Sequence, residues 1–317
     1  MTNDETHRQA ISIPHLIGAF CGAICIAFAP IFAVLSTRTT HGVGLWDAAF
    51  WRVSIGAVAL GLLFAVNQKS VRPTRKDFVH GTAWLWLPGL AFGGDFWVWH
   101  WSFAHTAVAN STLLANTAIL WVTLFAWLVW KERLSRVFVA GAAAAFCGMV
   151  ILMLSSASRE APTDGNPLFG DFLALVTAGF YATYQLSIKR FRDQHSAPAL
   201  MFWASAVASL VLLPIAVIHP DPFWPGSLRI WIWLTALGVI SHACGQGLIA
   251  WSLGGLPASL ASTSLLAQPV TTALLGVFIL GQSLVPWQIA GAAVVVIGLF
   301  FAIRGQMMRR NSGRTKR

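Results

Sequence analysis

The 317 residues include 56% apolar and only 10% charged side chains, with a mean hydropathy of +0.67. So few charges cannot cover a water-soluble globule. The long apolar runs divided by short polar breaks instead describe a polytopic helical membrane protein. The net charge of +10 is no signature of nucleic-acid binding, because the basic residues gather in the breaks and in the tail, as the positive-inside bias places them.

The N-terminal MTNDETHRQAISIP is polar and carries acids, and the apolar run after it is too long for a signal h-region, so no cleavable signal peptide is expected. Ten spans follow, at about 15–36, 46–66, 82–104, 107–130, 136–156, 168–188, 198–218, 228–250, 258–280 and 284–304. Each is near the roughly 20 residues that a bilayer core requires. An N-terminus on the cytoplasmic side leaves seventeen basic residues inside: Arg8, four from Lys69 to Lys76, three from Lys131 to Arg136, three from Lys189 to Arg192, and six from Arg304 onward. Only Arg38, Arg159 and Arg229 fall outside, and Arg52 lies within a span. Both termini are therefore expected in the cytoplasm, for a multi-pass protein of a bacterial inner membrane. Cys21, Cys25, Cys147 and Cys244 all sit in apolar runs, where buried packing is expected rather than a disulfide or a metal pair.

The longest break, SSASREAPTDGNPLFG after the fifth span, has linker composition and divides the chain into residues 1–160 and 161–317, each with five spans. The halves align. WSFAHTAVANSTLLANTA from Trp101 lies on WSLGGLPASLASTSLLAQPV from Trp251, WKERL from Trp130 on GQSL near Gln282, and GAAAAFCGMVIL from Gly141 on GAAVVVIGLFFA from Gly291. The offset is 150, changing to 152 through the LLA triplets. An odd number of spans per half reverses the second half in the membrane. The expected fold class is thus all-α, ten transmembrane helices as two five-helix inverted repeats, the architecture of alternating access.

The stretch from Gly93 to Glu132, GGDFWVWHWSFAHTAVANSTLLANTAILWVTLFAWLVWKE, places polar groups where lipid is expected. Such groups are costly and mark function. Asp95 sits about 20 Å into its helix at 1.5 Å per residue. It is a candidate coupling carboxylate, or half of a structural ion pair or gate with Arg52 on the second span. Gly93 and Gly94 permit close backbone approach. Trp99 is the candidate cavity-lining tryptophan, Trp97 and Trp101 suit the interfacial belt, and His100 lies on another flank. Asn116, with Gln268 as its counterpart in the alignment, is a candidate midplane pair. His242 and Gln246, four apart on span eight, form a candidate proton relay or a neutral hydrogen-bonded pair. Tyr184, Tyr181 and Gln185 on span six are weaker cavity candidates. His105 and Asn110 are placed at an outer turn, and Glu132 is expected to pair with Lys131, Arg133 or Arg136.

TAVANSTLLANTA (Thr106 to Ala118), KERL (Lys131 to Leu134) and LLAQPV (Leu265 to Val270) together resemble the EamA-like group of the drug/metabolite transporter superfamily. The likeness spans nearly the whole chain. It departs at Thr117, where a proline is common, and at Gln282, where an acid is frequent. The resemblance implies a ten-helix secondary transporter, typically an exporter of small metabolites or toxic compounds. The expected substrate is amino-acid-like, amphipathic or aromatic, or a drug, moved by alternating access and possible proton coupling. A passive facilitator or channel is the alternative, with an intramembrane enzyme behind it. HExxH, GxSxG and Walker A patterns are absent from the sequence, and GGD with Phe92 before it is not the GxGD of intramembrane proteases. The expected partners are a small-molecule solute and the lipid bilayer, with a homodimer admissible. No cofactor, metal or nucleic acid is expected.

Overall fold

The computed structural model describes residues 11–38, 41–67, 86–154 and 165–312. Among these, every regular element is helical: α1 (Ile13–Ala27), α2 (Ala29–Thr37), α3 (Leu45–Asn67), α4 (Trp86–Phe103), α5 (Val108–Ala115), α6 (Ala118–Leu128), α7 (Arg136–Leu154), α8 (Pro167–Phe191), α9 (Ala197–Ile218), α10 (Leu228–Ala236), a π-helix (Leu237–Gln246), α11 (Gly247–Leu253), α12 (Ala258–Ser264), α13 (Ala267–Leu280) and α14 (Pro286–Ser312). Arg8, Arg159, the basic run from Lys69 to Lys76 and the end of the tail lie outside the described residues, as does most of the linker between the halves.

Eight helices or helix series are long and apolar enough to cross a membrane by length and composition: Ile13–Thr37, Leu45–Val66, Val108–Leu128, Arg136–Leu154, Ala197–Ile218, Leu228–Leu253, Ala258–Leu280 and Pro286–Arg309. The other two long helices are less apolar. Asp95, His100 and Ser102 lie on α4, and Asp171, Gln185 and a basic last turn on α8. These two pack against each other, which takes their polar faces away from lipid. Helix starts are signalled locally. Asn166, Ser196 and Ser227 accept from Phe169 N, Ala199 N and Ile230 N, and Pro167 and Pro198 follow the first two caps.

Local geometry recurs at an offset of 150. Ala104 N, His105 N and Thr106 N donate to Trp101 O, Ser102 O and Ser102 O, and Gly254 N, Gly255 N and Leu256 N repeat the pattern on Trp251 O, Ser252 O and Ser252 O. Lys131 (φ 55) and Gly281 (φ 66) both turn left-handed after a helix. In each case the next N–H reaches six residues back, Glu132 N to Ala126 O and Gln282 N to Gly276 O, satisfying a carbonyl that the helix end leaves free. The breaks also correspond, Asn116–Thr117 in one series and Leu265–Leu266 in the other, each tightened into 3₁₀ turns. Pro269 lacks the N–H that would continue the second series. This geometry keeps the offset at 149 to 150 through the break, so Asn116 answers to Leu265, and Gln268 falls within α13. The two-residue shift read from the LLA triplets is corrected accordingly.

Packing pairs recur too. The α4–α8 contact is matched by α1 against the π-helix and α11, and α4–α9 by the π-helix against α3. The most extensive contact is α7 on α14. A Cβ on Gly141 would stand 2.6 Å from Gly298 O, and one on Gly148 2.7 Å from Gly291 O. The two helices therefore run antiparallel, with backbones touching along glycines seven apart, the small-residue packing that replaces hydrophobic drive in a membrane. The cysteines are free, but Cys21, Cys147 and Cys244 are exposed on the outside of the bundle and Cys25 is only partly covered. The expectation of buried packing is thus corrected for three of them.

Gly298→Leu is expected to lower the thermal midpoint of the purified protein by about 5 °C or more, since its Cβ would lie 2.4 Å from Ala145 N. Gly179→Ala, with nothing within 4 Å of the new Cβ, serves as the control and should leave the melting curve near that of the wild type.

Candidate functional site

The polar residues of the bundle interior converge from α3, α4, α8, α9 and the π-helix. Gly56 on α3 and Gly238 on the π-helix make that convergence possible: a Cβ on the first would meet the His242 ring at 2.3 Å, and one on the second Ile55 at 2.7 Å. Phe92, one turn before Phe96 and Asp95, stacks on Tyr184 with ring centroids 4.2 Å apart and 9° between planes, and on His242 at 5.4 Å. Tyr184 Oη donates to Gln246 Oε1 at 3.3 Å and lies 3.1 Å from Met201 Sδ. His242 Nε2 and Ser205 Oγ are hydrogen-bonded at 2.8 Å. Tyr184, His242 and Gln246 are buried, so the structure gathers these three candidates into one cluster. The segment holding His242 and Gln246 is a π-helix, a rare form that concentrates at functional sites.

Arg52 and Asp95 both border this cluster and both are 8% exposed. Each is a charge that acts on the other, yet no nitrogen–oxygen approach within 4.0 Å joins them. The expected direct ion pair is therefore not formed. Arg52 instead lies 5.0 Å from the centroid of Phe96, a cation–π contact, and its Nε has no partner. Several other buried polar atoms lack partners: Gln185 Oε1 and Nε2, His242 Nδ1, Ser241 Oγ and Trp99 Nε1. Orphaned polar atoms are costly in an apolar bundle interior.

The remaining candidates sit elsewhere. His100 Nδ1 pairs with Phe96 O at 2.7 Å, and its ring faces Trp46 and Phe103. It lines a cleft of about 350 Å³ with Trp46, Trp97, Trp101 and His219. Trp97 and Trp101 are exposed, as belt residues should be, and Trp99 is edge-on to His100. Asn116 lies in the helix break, and its Nδ2 bonds Thr112 O of its own helix at 2.8 Å. Gln268 is half-buried in the first turn of α13, and no hydrogen bond joins it to Asn116. The expected midplane pair is not assembled. Asn110 does not cap its helix but donates to Asp171 Oδ1 on α8 at 2.5 Å.

Glu132 also departs from expectation. Its carboxylate accepts from Ala258 N (2.7 Å), Ser259 N (3.3 Å) and Ser259 Oγ (2.6 Å), capping α12 rather than pairing with nearby bases. At this end α6 packs on α12, Lys189 Nζ donates to Leu253 O and Leu256 O, and His15 stacks on Trp251. Among the described residues, no comparably packed contact joins α5 to α13 at the opposite end. Ser205 had escaped sequence reasoning, where a serine in an apolar run is too ordinary to single out. The one available signal was Ser209 a helical turn later, which meets Ser54 at 3.1 Å.

The sequence matches the EamA-like transporter family twice, over residues 14–154 and 168–304. A pseudopaline exporter, CntI of Pseudomonas aeruginosa, is 25% identical over 66% of this chain and 70% of its own length. An uncharacterized transporter of Bacillus subtilis, YwfM, is 27% identical over 61% and 64%, and a further uncharacterized P. aeruginosa protein is 29% identical over 78% and 79%. A solved crystal structure superimposes with a TM-score of 0.76, covering 93% of this chain and 98% of that one at 18% identity, a likeness of fold. The chain is a multi-pass integral membrane protein, and it belongs to the EamA-like transporter family.

Proposed function

We propose that the protein is a ten-span secondary active exporter of a small metabolite or drug, working by alternating access between two five-span repeats of opposite orientation, residues 1–160 and 161–317. The recurrence of turns, breaks and packing pairs at one offset supports the repeat. The antiparallel course of α7 and α14 supports the inversion, because helices related by an inverted repeat point in opposite directions. The observation that carries transport is the buried polar cluster drawn from both halves, with unpartnered atoms on Arg52, Gln185 and His242 inside an otherwise apolar bundle. The exporter named among the relatives favours the outward direction. Asp95 is the proposed coupling carboxylate, and the basic end is the proposed cytoplasmic face of a bacterial inner membrane.

On that reading the structure is closed inside. The Glu132 cap, the α6–α12 contact and the Lys189 bonds all seal the basic end, and the opposite end lacks the equivalent of α6 on α12. The seal is charged on one side only. Glu132 accepts three hydrogen bonds across the halves, whereas Gln282, its counterpart, turns back within 2.5 Å of a Cβ on Gly276. A charged acceptor holds more strongly than an amide, so the empty carrier rests outward-facing.

Asp95→Asn is expected to abolish substrate accumulation in proteoliposomes with expression intact. Transport unchanged by that substitution across the pH range would falsify the coupling role. Accumulation against a gradient separates a carrier from a channel, which cannot produce it. Glu132→Gln is expected to raise labelling of Ser262→Cys by an impermeant maleimide from the cytoplasmic side about fivefold or more, given the roughly 1 kcal/mol that such a cap supplies. The measurement uses a variant lacking the four native cysteines, and an unchanged labelling rate would remove the latch.

A further inference from the structure

A second unsatisfied acid lies apart from the central cluster, next to the cleft that holds Trp46 and His219. Asp47 stands in the first turn of α3, fully buried, and neither of its carboxylate oxygens has a hydrogen-bond partner. We propose that Asp47 and Asp221 form a binding site for one small monovalent cation, a proton or an alkali-metal ion, drawn from the water at that end. The site is independent of Asp95 and of the transport reading above.

Gly44 brings the two acids together. A Cβ there would stand 2.4 Å from Asp47 Oδ2 and 2.8 Å from Asp221 Oδ2, so both oxygens crowd one point and glycine puts no side chain between them. Pro220 and Pro222 flank Asp221 and stiffen the loop that presents it. That loop belongs to the second half and is tied to the first. Gly44 N donates to Pro222 O (3.3 Å), Gly226 N to His41 O (3.3 Å) and Trp51 Nε1 to Phe223 O (2.9 Å). Two carboxylates held so close repel each other unless a positive charge lies between them. The start of α3 offers about half a charge, enough for part of one carboxylate. His219 Nδ1 lies 3.1 Å from Asp221 Oδ2 and, when protonated, pairs with that acid alone. The other titratable groups here are His41, packed on Gly226, and His100, whose ring faces Trp46. No hydrogen bond or ion pair joins either of them to Asp47. One positive charge is therefore still lacking. A divalent metal ion fits poorly, since among the described residues no group of three or more ligating side chains is placed to hold one. His219 and Asp221 are 39% and 45% exposed, which gives a cation its way in from water.

The test follows the thermal midpoint of the full chain in lipid nanodiscs at constant ionic strength. One series lowers the pH from about 8 to about 5.5 in choline chloride, and the other replaces choline by sodium at the alkaline end. A cation held only by the folded state stabilises it by mass action. Measured against Asp47→Asn, the midpoint of the native protein should therefore rise about 2 °C or more per tenfold increase in the bound ion. Asp221→Asn, at a half-exposed position, should lose the same rise. A rise with acid alone names the proton, and a rise with sodium at the alkaline end names the alkali ion. At that end in choline, Asp47→Asn should melt at or above the native protein, because the substitution removes a repulsion. A carboxylate that only steadies a helix start would instead melt lower as the amide in every condition. That uniform loss, identical ion responses of the native protein and Asp47→Asn, or a rise that survives in Asp221→Asn would each overturn the proposal.

Discussion

A charged or hydrogen-bonding group inside a helical bundle has no water to fall back on, and the rest of this structure follows from how that constraint is met. Where a partner could be supplied by the chain, it is. Glu132 closes the start of α12, Lys189 gathers the last carbonyls after α11, and Ser205 holds the imidazole of His242. At the centre the chain supplies partners only in part. Arg52 rests on an aromatic face, Asp95 stands off from it, and the side-chain amide of Gln185 makes no hydrogen bond. Satisfaction at the basic rim and incompleteness at the middle together fit the proposed carrier, whose middle would exchange its partners in every cycle.

The glycine contacts divide the bundle in the same spirit. Along α7 and α14 the backbones touch at Gly141, Gly148, Gly291 and Gly298. Such a seam suits a static scaffold. The helices with breaks, α5–α6 and α12–α13, and the π-helix have irregular hydrogen bonding, which lowers the cost of a local bend. Rigidity and pliability are therefore assigned to different helices, and the sequence writes the first as glycines seven apart.

Much of this was legible from residues alone, because the legible signals are local. An acid, a histidine or an amide inside an apolar run stands out without coordinates, and Asp95, Tyr184, His242 and Gln246 do converge on one region. The apolar runs likewise each overlie a helix or broken helix. What was not legible depends on distant contacts. Glu132 sits among three bases in sequence and bonds none of them, because the start of α12, 126 residues away, offers unbonded N–H groups that a carboxylate satisfies better than a solvated surface pair. The Asn116–Gln268 pairing failed for another reason. Matching the LLA triplets aligned letters, whereas the backbone keeps its own register through the break. The separation of Arg52 from Asp95 is invisible to sequence, since spacing shows that two residues share a region and never that they stop short of contact.

The left-handed turns at Lys131 and Gly281 carry a last consequence. They share one geometry, but a lysine there bears the steric cost of a Cβ at φ 55, which glycine at φ 66 does not. Glycine would relax the first turn as it does the second. In the proposed orientation, however, the two turns face opposite compartments, and a cation assists retention of a loop on only one of them. The first half thus keeps backbone strain in exchange for a topological signal at that turn, while the second, across the bilayer, is free to lose the charge and the strain together.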